Sequence, residues 1–250
     1  MWDNPRLLNL AASGLTAIAV AIALFVTGSA LMHSPAFPLK TIRVLGDLKH
    51  VKRSDVATAL QGRLSGTFFS VDLGAIRALF EGIPWVRKAE VRRMWPDGLD
   101  VTLEEHVALA RWGRERDGRL VNTYGELFSG RAEAALPLFA GPAGSEADVA
   151  RRYAEFSKLL APLGLEPRAV LLSDRYAWQL RLSNGLNVQL GRERERDPVT
   201  GRLARFISVY PRTVGKLARL PDYADLRYPT GFALPLPDSR AASTHRLPRT

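Results

Sequence analysis

Hydrophobic and polar residues fall into two regimes along this chain, and the boundary lies at Met32. From Leu7 to Met32 no Asp, Glu, Lys, Arg or His occurs, and Leu, Ala, Ile, Val and Phe fill the stretch. As a helix rising about 1.5 Å per residue it reaches roughly 39 Å, enough to cross a hydrocarbon core of about 30 Å with some tilt. A cleaved signal peptide has an apolar region of only about 7–15 residues, although Gly28-Ser29-Ala30 would serve as a cleavage site. A buried core helix of this length would show a polar face, and none is visible. The pattern predicts an uncleaved membrane anchor.

After a Pro-containing linker, His33 to Pro38, the periodicity becomes that of a globular domain. Thr41 to Leu45 alternates and predicts a strand ending at Gly46. Ser54 is the expected N-cap of a helix with Val56, Ala59, Leu60 and Leu64 on one face. Asp72 is a second N-cap, and Leu73, Ile76, Leu79, Phe80 and Ile83 form a second stripe that Gly82 and Pro84 end. A hairpin follows: Trp85, Ala89 and Val91 share one parity, Pro96-Asp97-Gly98 turns, and Leu99, Val101 and Leu103 return on one face. Strand, helix, helix, hairpin makes two helices on a three-stranded sheet over residues 38–106, an α+β layer.

Residues 107–234 read as a second domain, mostly antiparallel β with flanking helices. Val107 to Trp112, Leu120 to Phe128 with a turn at Gly125, and Leu136 to Phe139 are short apolar runs. Val149, Tyr153, Phe156, Leu160 and Leu163 recur at helical spacing, with Ser145 and Asp148 as a capping box and Gly164 as the stop. Ala169 to Ser173 resumes the sheet. Trp178, Leu180 and Leu182 alternate into an Asn184-Gly185 turn, and Leu186, Val188 and Leu190 return. A helix with Leu203, Phe206, Ile207 and Tyr210 precedes a last strand, Tyr223 to Tyr228, and residues 235–250 read as a disordered tail.

Composition narrows the chemistry. Cysteine is absent, so disulfides, thiolate metal sites and cysteine nucleophiles are excluded. The net charge of +10 comes from Lys and Arg interleaved with Asp and Glu, the pattern of a solvated surface and not of a nucleic-acid site. His33, His50, His106 and His245 are isolated, and nucleophile-elbow, Ser-x-x-Lys and phosphate-loop motifs are missing. Glu104-Glu105-His106 is the one cluster of titratable residues, and it reads as a polar rim because neighbours on a strand face opposite ways. No cofactor, metal, small-molecule substrate or catalysis is expected. Arg6 against Asp3 on one flank, and Lys40, Arg43, Lys49, Lys52 and Arg53 on the other, leave the orientation of the anchor open.

Three segments carry a family resemblance: Pro38-Leu39-Lys40-Thr41-Ile42-Arg43-Val44-Leu45-Gly46, the run Ile83-Pro84-Trp85-Val86 through Arg93-Met94-Trp95-Pro96, and Tyr223-Ala224-Asp225-Leu226-Arg227-Tyr228. The first two resemble a polypeptide-transport-associated (POTRA) domain, and the whole order is similar to the FtsQ/DivIB family of bacterial cell-division proteins. That resemblance implies a cytoplasmic tail over residues 1–6, a span over 7–32, and periplasmic POTRA and β domains. It implies a scaffold of the inner membrane at the division septum, binding FtsB and FtsL and influencing septal peptidoglycan synthesis. The alternatives are an outer-membrane assembly or secretion factor, against which stands the lack of a barrel's many strands of about ten residues, and a membrane-anchored periplasmic hydrolase.

By position, the resemblance implies partner contacts at Arg175, Arg227, Tyr228, Thr230, Gly231 and Phe232, around a terminal strand that another chain can complete. Pro229 removes one backbone donor inside that motif. A second surface, for recruitment by FtsK and other division proteins, is implied at Arg87, Lys88, Arg92 and Arg93. Solvated charge would explain these four equally well.

Overall fold

The computed structural model describes residues 5–32, 34, 37–113, 118–131, 135–217, 219–228 and 231–235. Most of the predicted tail lies outside them. Helix α1 (Pro5–Met32) is continuous, and its Ala12–Ala30 stretch has a mean hydropathy of 1.8 with none of it buried. A core helix would be covered by the protein, so α1 is one N-terminal helix long and apolar enough to cross a membrane. The chain divides into two compact units, Met1–Glu105 and His106–Thr250.

The first unit has β1 (Thr41–Leu45), α2 (Arg53–Leu60), α3 (Leu73–Glu81), β2 (Val86–Met94) and β3 (Gly98–Glu105). Its sheet runs in the order β1-β3-β2, so β1 and β2 are both edges; β1 lies parallel to β3, and β2 antiparallel. Ile76, Phe80, Ile83, Val86, Ala89, Leu99, Val101 and Leu103 form the core beneath α3. Asp72 caps α3 as expected, accepting the N–H groups of Gly74 at 2.8 Å and Ala75 at 3.1 Å. Three expectations fail here. Ser54 lies inside α2; the N-cap is Lys52, whose N–H donates to Asp55 at 3.0 Å, and Leu64 lies beyond the helix and exposed. The parity of Trp85 is broken by a β-bulge between Val86 and Lys88, so Val86 joins Ala89 in the core and Trp85 stacks on His50 at 3.8 Å.

Glu105, the last residue of β3, folds the β1–α2 connection onto the sheet. Its carboxylate accepts the backbone N–H groups of Lys49 at 3.0 Å, His50 at 3.0 Å and Val51 at 2.7 Å, and stands 3.2 Å from His50 Nδ1. Burial pushes its pKa up, but the N–H groups of Val51, Lys49 and His50 together outweigh burial, and the net shift is downward. Glu104 is instead paired with Arg87 at 2.9 Å.

The second unit has β4 (Ala108–Trp112), β5 (Arg119–Asn122), β6 (Leu127–Ser129), β7 (Leu138–Ala140), α4 (Glu146–Leu160), β8 (Pro167–Leu172), β9 (Ala177–Leu182), β10 (Asn187–Arg192), α5 (Val199–Val209) and β11 (Tyr223–Asp225). They form an eight-stranded sheet in the order β11-β10-β9-β8-β7-β4-β5-β6. Neighbours joined by short turns pair antiparallel, while β7 to β8 and β10 to β11 pair parallel because α4 and α5 carry the chain back across one face. Phe139, Val170, Leu180, Val188, Phe156, Leu160, Leu203 and Phe206 fill the layer between sheet and helices. Gln179, Arg181 and Asn187 lie exposed on the opposite face.

Two local motifs differ from expectation. The capping box at α4 does not form: the Ser145 hydroxyl donates back to the Pro142 carbonyl at 2.6 Å, and Asp148 pairs with Arg151. The β9–β10 turn is a three-residue loop, because Leu182 N–H donates to Leu186 O at 2.9 Å and only Gly185, at φ +91°, is left-handed. Asn184 instead braces the turn against α5, donating to the Tyr210 hydroxyl at 2.8 Å.

A depressed Glu105 pKa means that its stabilisation is complete above the ordinary glutamate value of about 4.3 and is lost as pH falls through the lower folded value. Glu105→Gln should cost about 1–3 kcal/mol and remove that acid-side loss. Hydrogen exchange of the Lys49, His50 and Val51 amides in the intact chain, expressed as protection factors against the intrinsic rate at each pH, checks this: protection falls in the variant at neutral pH, and in the wild type only on acidification.

Candidate partner-binding edge

β11 ends the large sheet. Ala224 and Leu226 point into the core (0% and 3% exposed), which fixes Tyr223, Asp225 and Arg227 on the opposite side. There Asp225, itself buried, receives Arg227 through Nη2 at 2.6 Å and Nε at 2.9 Å, and also the Arg227 backbone N–H at 3.0 Å. The Arg227 guanidinium is the main cause holding the Asp225 carboxyl below its usual range, against the opposing effect of burial. The stem of Arg227 lies over Gly191, at a bulge in β10, where a Cβ would sit 2.9 Å from Arg227 Cγ.

The regular strand is shorter than Tyr223 to Tyr228, ending at Asp225, and the chain then turns back on itself. Ala233 pairs antiparallel with Asp225, each donating its N–H to the other's carbonyl at 2.9 Å. The outermost backbone is therefore the return segment 231–235. Because Ala233 faces inward, alternation turns the amide groups of Phe232 and Leu234 to the outer side. Phe232 anchors this segment by an edge-to-face contact with Phe206 at 5.3 Å. Beside it lies a groove of about 260 Å³ lined by Arg202, Arg205, Phe206, Ser208, Val209, Leu226, Gly231 and Phe232.

The sequence-derived positions distribute as follows. Arg227, Tyr228, Gly231 and Phe232 cluster at this edge, with Tyr228 exposed. Thr230 and Pro229 lie outside the described residues. Arg175 is exposed in the β8–β9 turn, next to Tyr176. Since Ala177 pairs with Arg192, at the end of β10 that adjoins the end of β11, Arg175 lies at the same end of the sheet as Tyr228. Two inter-strand spacings, about 10 Å, separate β9 from β11. Asp225 and Ala233 were not among the positions read from sequence; the Asp-x-Arg spacing, two apart on one strand face, was the available signal for the first, and nothing local marks the second.

On β2 the four basic positions differ in surroundings. Lys88 and Arg92 both pair with Glu90, at 3.0 and 3.3 Å, and Arg87 with Glu104. Arg93 is a structural clamp, donating to the carbonyls of Phe68 at 2.8 Å, Phe69 at 3.1 Å and Val71 at 2.8 Å. His106, after Glu105, stacks on Phe128 with centroids 4.2 Å apart and meets Asn122 Nδ2 at 2.9 Å. Each member of the Glu104-Glu105-His106 cluster is thus engaged in a structural contact.

Comparison with known proteins agrees with this architecture. Residues 37–106 match the family described as POTRA domain, FtsQ-type, and residues 110–227 match Cell division protein FtsQ/DivIB, C-terminal. Among curated relatives, Cell division protein FtsQ of Burkholderia pseudomallei is 46% identical, covering 94% of this chain and 94% of its own. The protein of the same name from Nitrosospira multiformis is 40% identical over 93% and 98%, and that from Bordetella pertussis 38% identical over 99% and 98%. The chain belongs to the FtsQ/DivIB family of cell-division proteins.

Proposed function

We propose that this chain is a non-catalytic scaffold of the divisome, anchored in the inner membrane by α1 with its amino terminus in the cytoplasm and both folded units in the periplasm. Its carboxy-terminal edge takes a strand from FtsB, in a complex with FtsL, and so links early division proteins to septal peptidoglycan synthesis. The observation that carries this reading is the return segment 231–235, an outermost backbone with outward amides beside exposed Tyr228 and an apolar-walled groove. A partner strand gains main-chain hydrogen bonds there, and side-chain anchors supply specificity. Tyr228 offers apolar area, and Arg175 a charge-assisted bond from the same end of the sheet. The β2 surface with Arg87, Lys88 and Arg92 is the proposed contact for FtsK and other recruiting proteins; Arg93 contributes there by holding the 68–71 loop.

Tyr228→Ala should weaken FtsB binding by about tenfold or more, as expected of an interface anchor, and Arg175→Glu should do so by a smaller factor. Titration of purified full-length variants with FtsB checks this; affinities within a few-fold of wild type would remove the edge from the binding site. Truncation after Pro237 should leave binding intact, because the bridging segment ends before it.

Orientation is tested separately. Alkaline phosphatase fused after residue 32 should be active, since the enzyme matures only outside the cytoplasm; an expressed but inactive fusion would reverse the topology.

A further inference from the structure

Trp95 belongs to neither hydrophobic core. It sits in the turn between β2 and β3 and is 80% exposed, more than Phe25 of the apolar helix itself at 76%. An indole left in water at the tip of a rigid hairpin forgoes a large burial energy. Its surroundings locate it. The carbonyl of Asp97, in the same turn, accepts the N–H groups of Lys40 at 2.9 Å and Thr41 at 3.4 Å, so the turn adjoins the point where the chain arrives from α1. A second exposed aromatic, Phe69, meets Phe37 edge to face at 5.1 Å, and Phe37 O accepts the Phe68 N–H at 3.0 Å. Arg93, two residues before Trp95, holds the Phe68 and Phe69 carbonyls and ties this loop to the hairpin.

We propose that this end of the first unit, carrying Trp95, Phe69 and Phe37, docks into the headgroup layer of the bilayer that α1 spans. The proposal rests on reading α1 as the anchor. Phe37 follows Met32 by five residues and Lys40 by eight, so full extension allows about 18 Å and about 29 Å respectively. The aromatic end is thus confined by covalent length to the neighbourhood of the membrane surface, at an effective concentration that makes even weak partitioning count. Tryptophan favours this zone because its ring is apolar and its N–H finds polar partners there. Lys40 and Arg92 nearby are paired with Asp97 and Glu90, so the aromatic side chains and not a surplus of charge carry the contact. Docking would fix the height and tilt of the first unit above the membrane, which the linker alone leaves free.

The test uses the full chain in vesicles of phosphatidylethanolamine and phosphatidylglycerol at a ratio of three to one. The chain has five tryptophans, so the contribution of Trp95 is obtained by subtracting the emission of Trp95→Ser from that of the wild type. Because Trp95 is exposed, that variant should fold; Trp95→Phe provides a second subtraction. The expected result is blue-shifted Trp95 emission that falls by roughly half when the lipid is brominated near the headgroup end of its acyl chains. A Trp95 contribution with the emission of a water-exposed indole, unaffected by bromination, overturns the proposal and returns Trp95 to a protein partner. Co-flotation of wild type and variant with the vesicles reports the anchor independently: a chain that fails to float overturns the reading of α1, whereas one that floats with unquenched Trp95 overturns only the docking.

Discussion

Arg202 is a cation at 1% exposure, and the placement of everything after it depends on how that charge is satisfied. Its guanidinium bonds the Asp197 carboxylate at 2.7 Å, the carbonyls of Asp197 at 2.7 Å and Arg192 at 2.9 Å, and the carbonyl of Leu190. Burying a guanidinium without such partners would cost several kcal/mol. With them, the first turn of α5 is pinned to the end of β10. That attachment sets the path of the crossover, and the crossover sets where β11 can lie. Asp197 is held below its usual pKa range by Arg205 and then Arg202, so the charged form persists across the neutral range and below it. The groove beside Phe232 takes one wall from Arg202 itself, which makes the candidate edge continuous with this buried hub.

Legibility in the sequence followed the range of the forces. Where a long local period decides burial, the reading holds: Leu180 and Leu182, Leu186, Val188 and Leu190, and Ile76 with Phe80 and Ile83 all face their cores, whereas on the short α2 the period overran and Leu64 is exposed. A cap made by one residue to its own helix, Asp72, was equally visible. Most of what escaped was set by partners far away in sequence. Val86 displaced Trp85 from the core because a bulge against β3 shifted the register, whereas Ser145 was lost to a local competitor, the Pro142 carbonyl three residues back. The parallel pairing of β11 could not be read from Tyr223 to Tyr228 alone, since it depends on α5 crossing first.

The candidate site shows the same division. Tyr228 and Arg227 were legible by family resemblance, which is a statement about position. That Asp225 takes Arg227 by a bidentate contact, and that Ala233 closes half of the edge of β11, are facts of the folded backbone. Arg93 is instructive in the opposite direction. By sequence it is indistinguishable from Arg92, yet three carbonyls absorb its donors while Arg92 points into solvent beside Glu90. A run of basic residues does not say which of them is structural.

Two of the sheet edges, β2 and the return segment 231–235, are treated differently. An unpaired strand invites stray pairing, and charged side chains discourage it. β2, an edge of the smaller sheet, carries Lys88, Glu90 and Arg92 in alternation, an arrangement in which a neutral incoming strand would have to desolvate charges already paired with one another. The return segment 231–235 reads Gly-Phe-Ala-Leu-Pro and carries no charge at all. Its protection is geometric: the Ala233 bridge occupies the inner side, Phe232 is drawn down onto Phe206, and Pro235 withholds a donor on the inward-facing parity. None of these devices blocks the outward amides of Phe232 and Leu234. Between these two edges, the neutral return segment beside Tyr228 offers an incoming strand less electrostatic resistance than the charged β2.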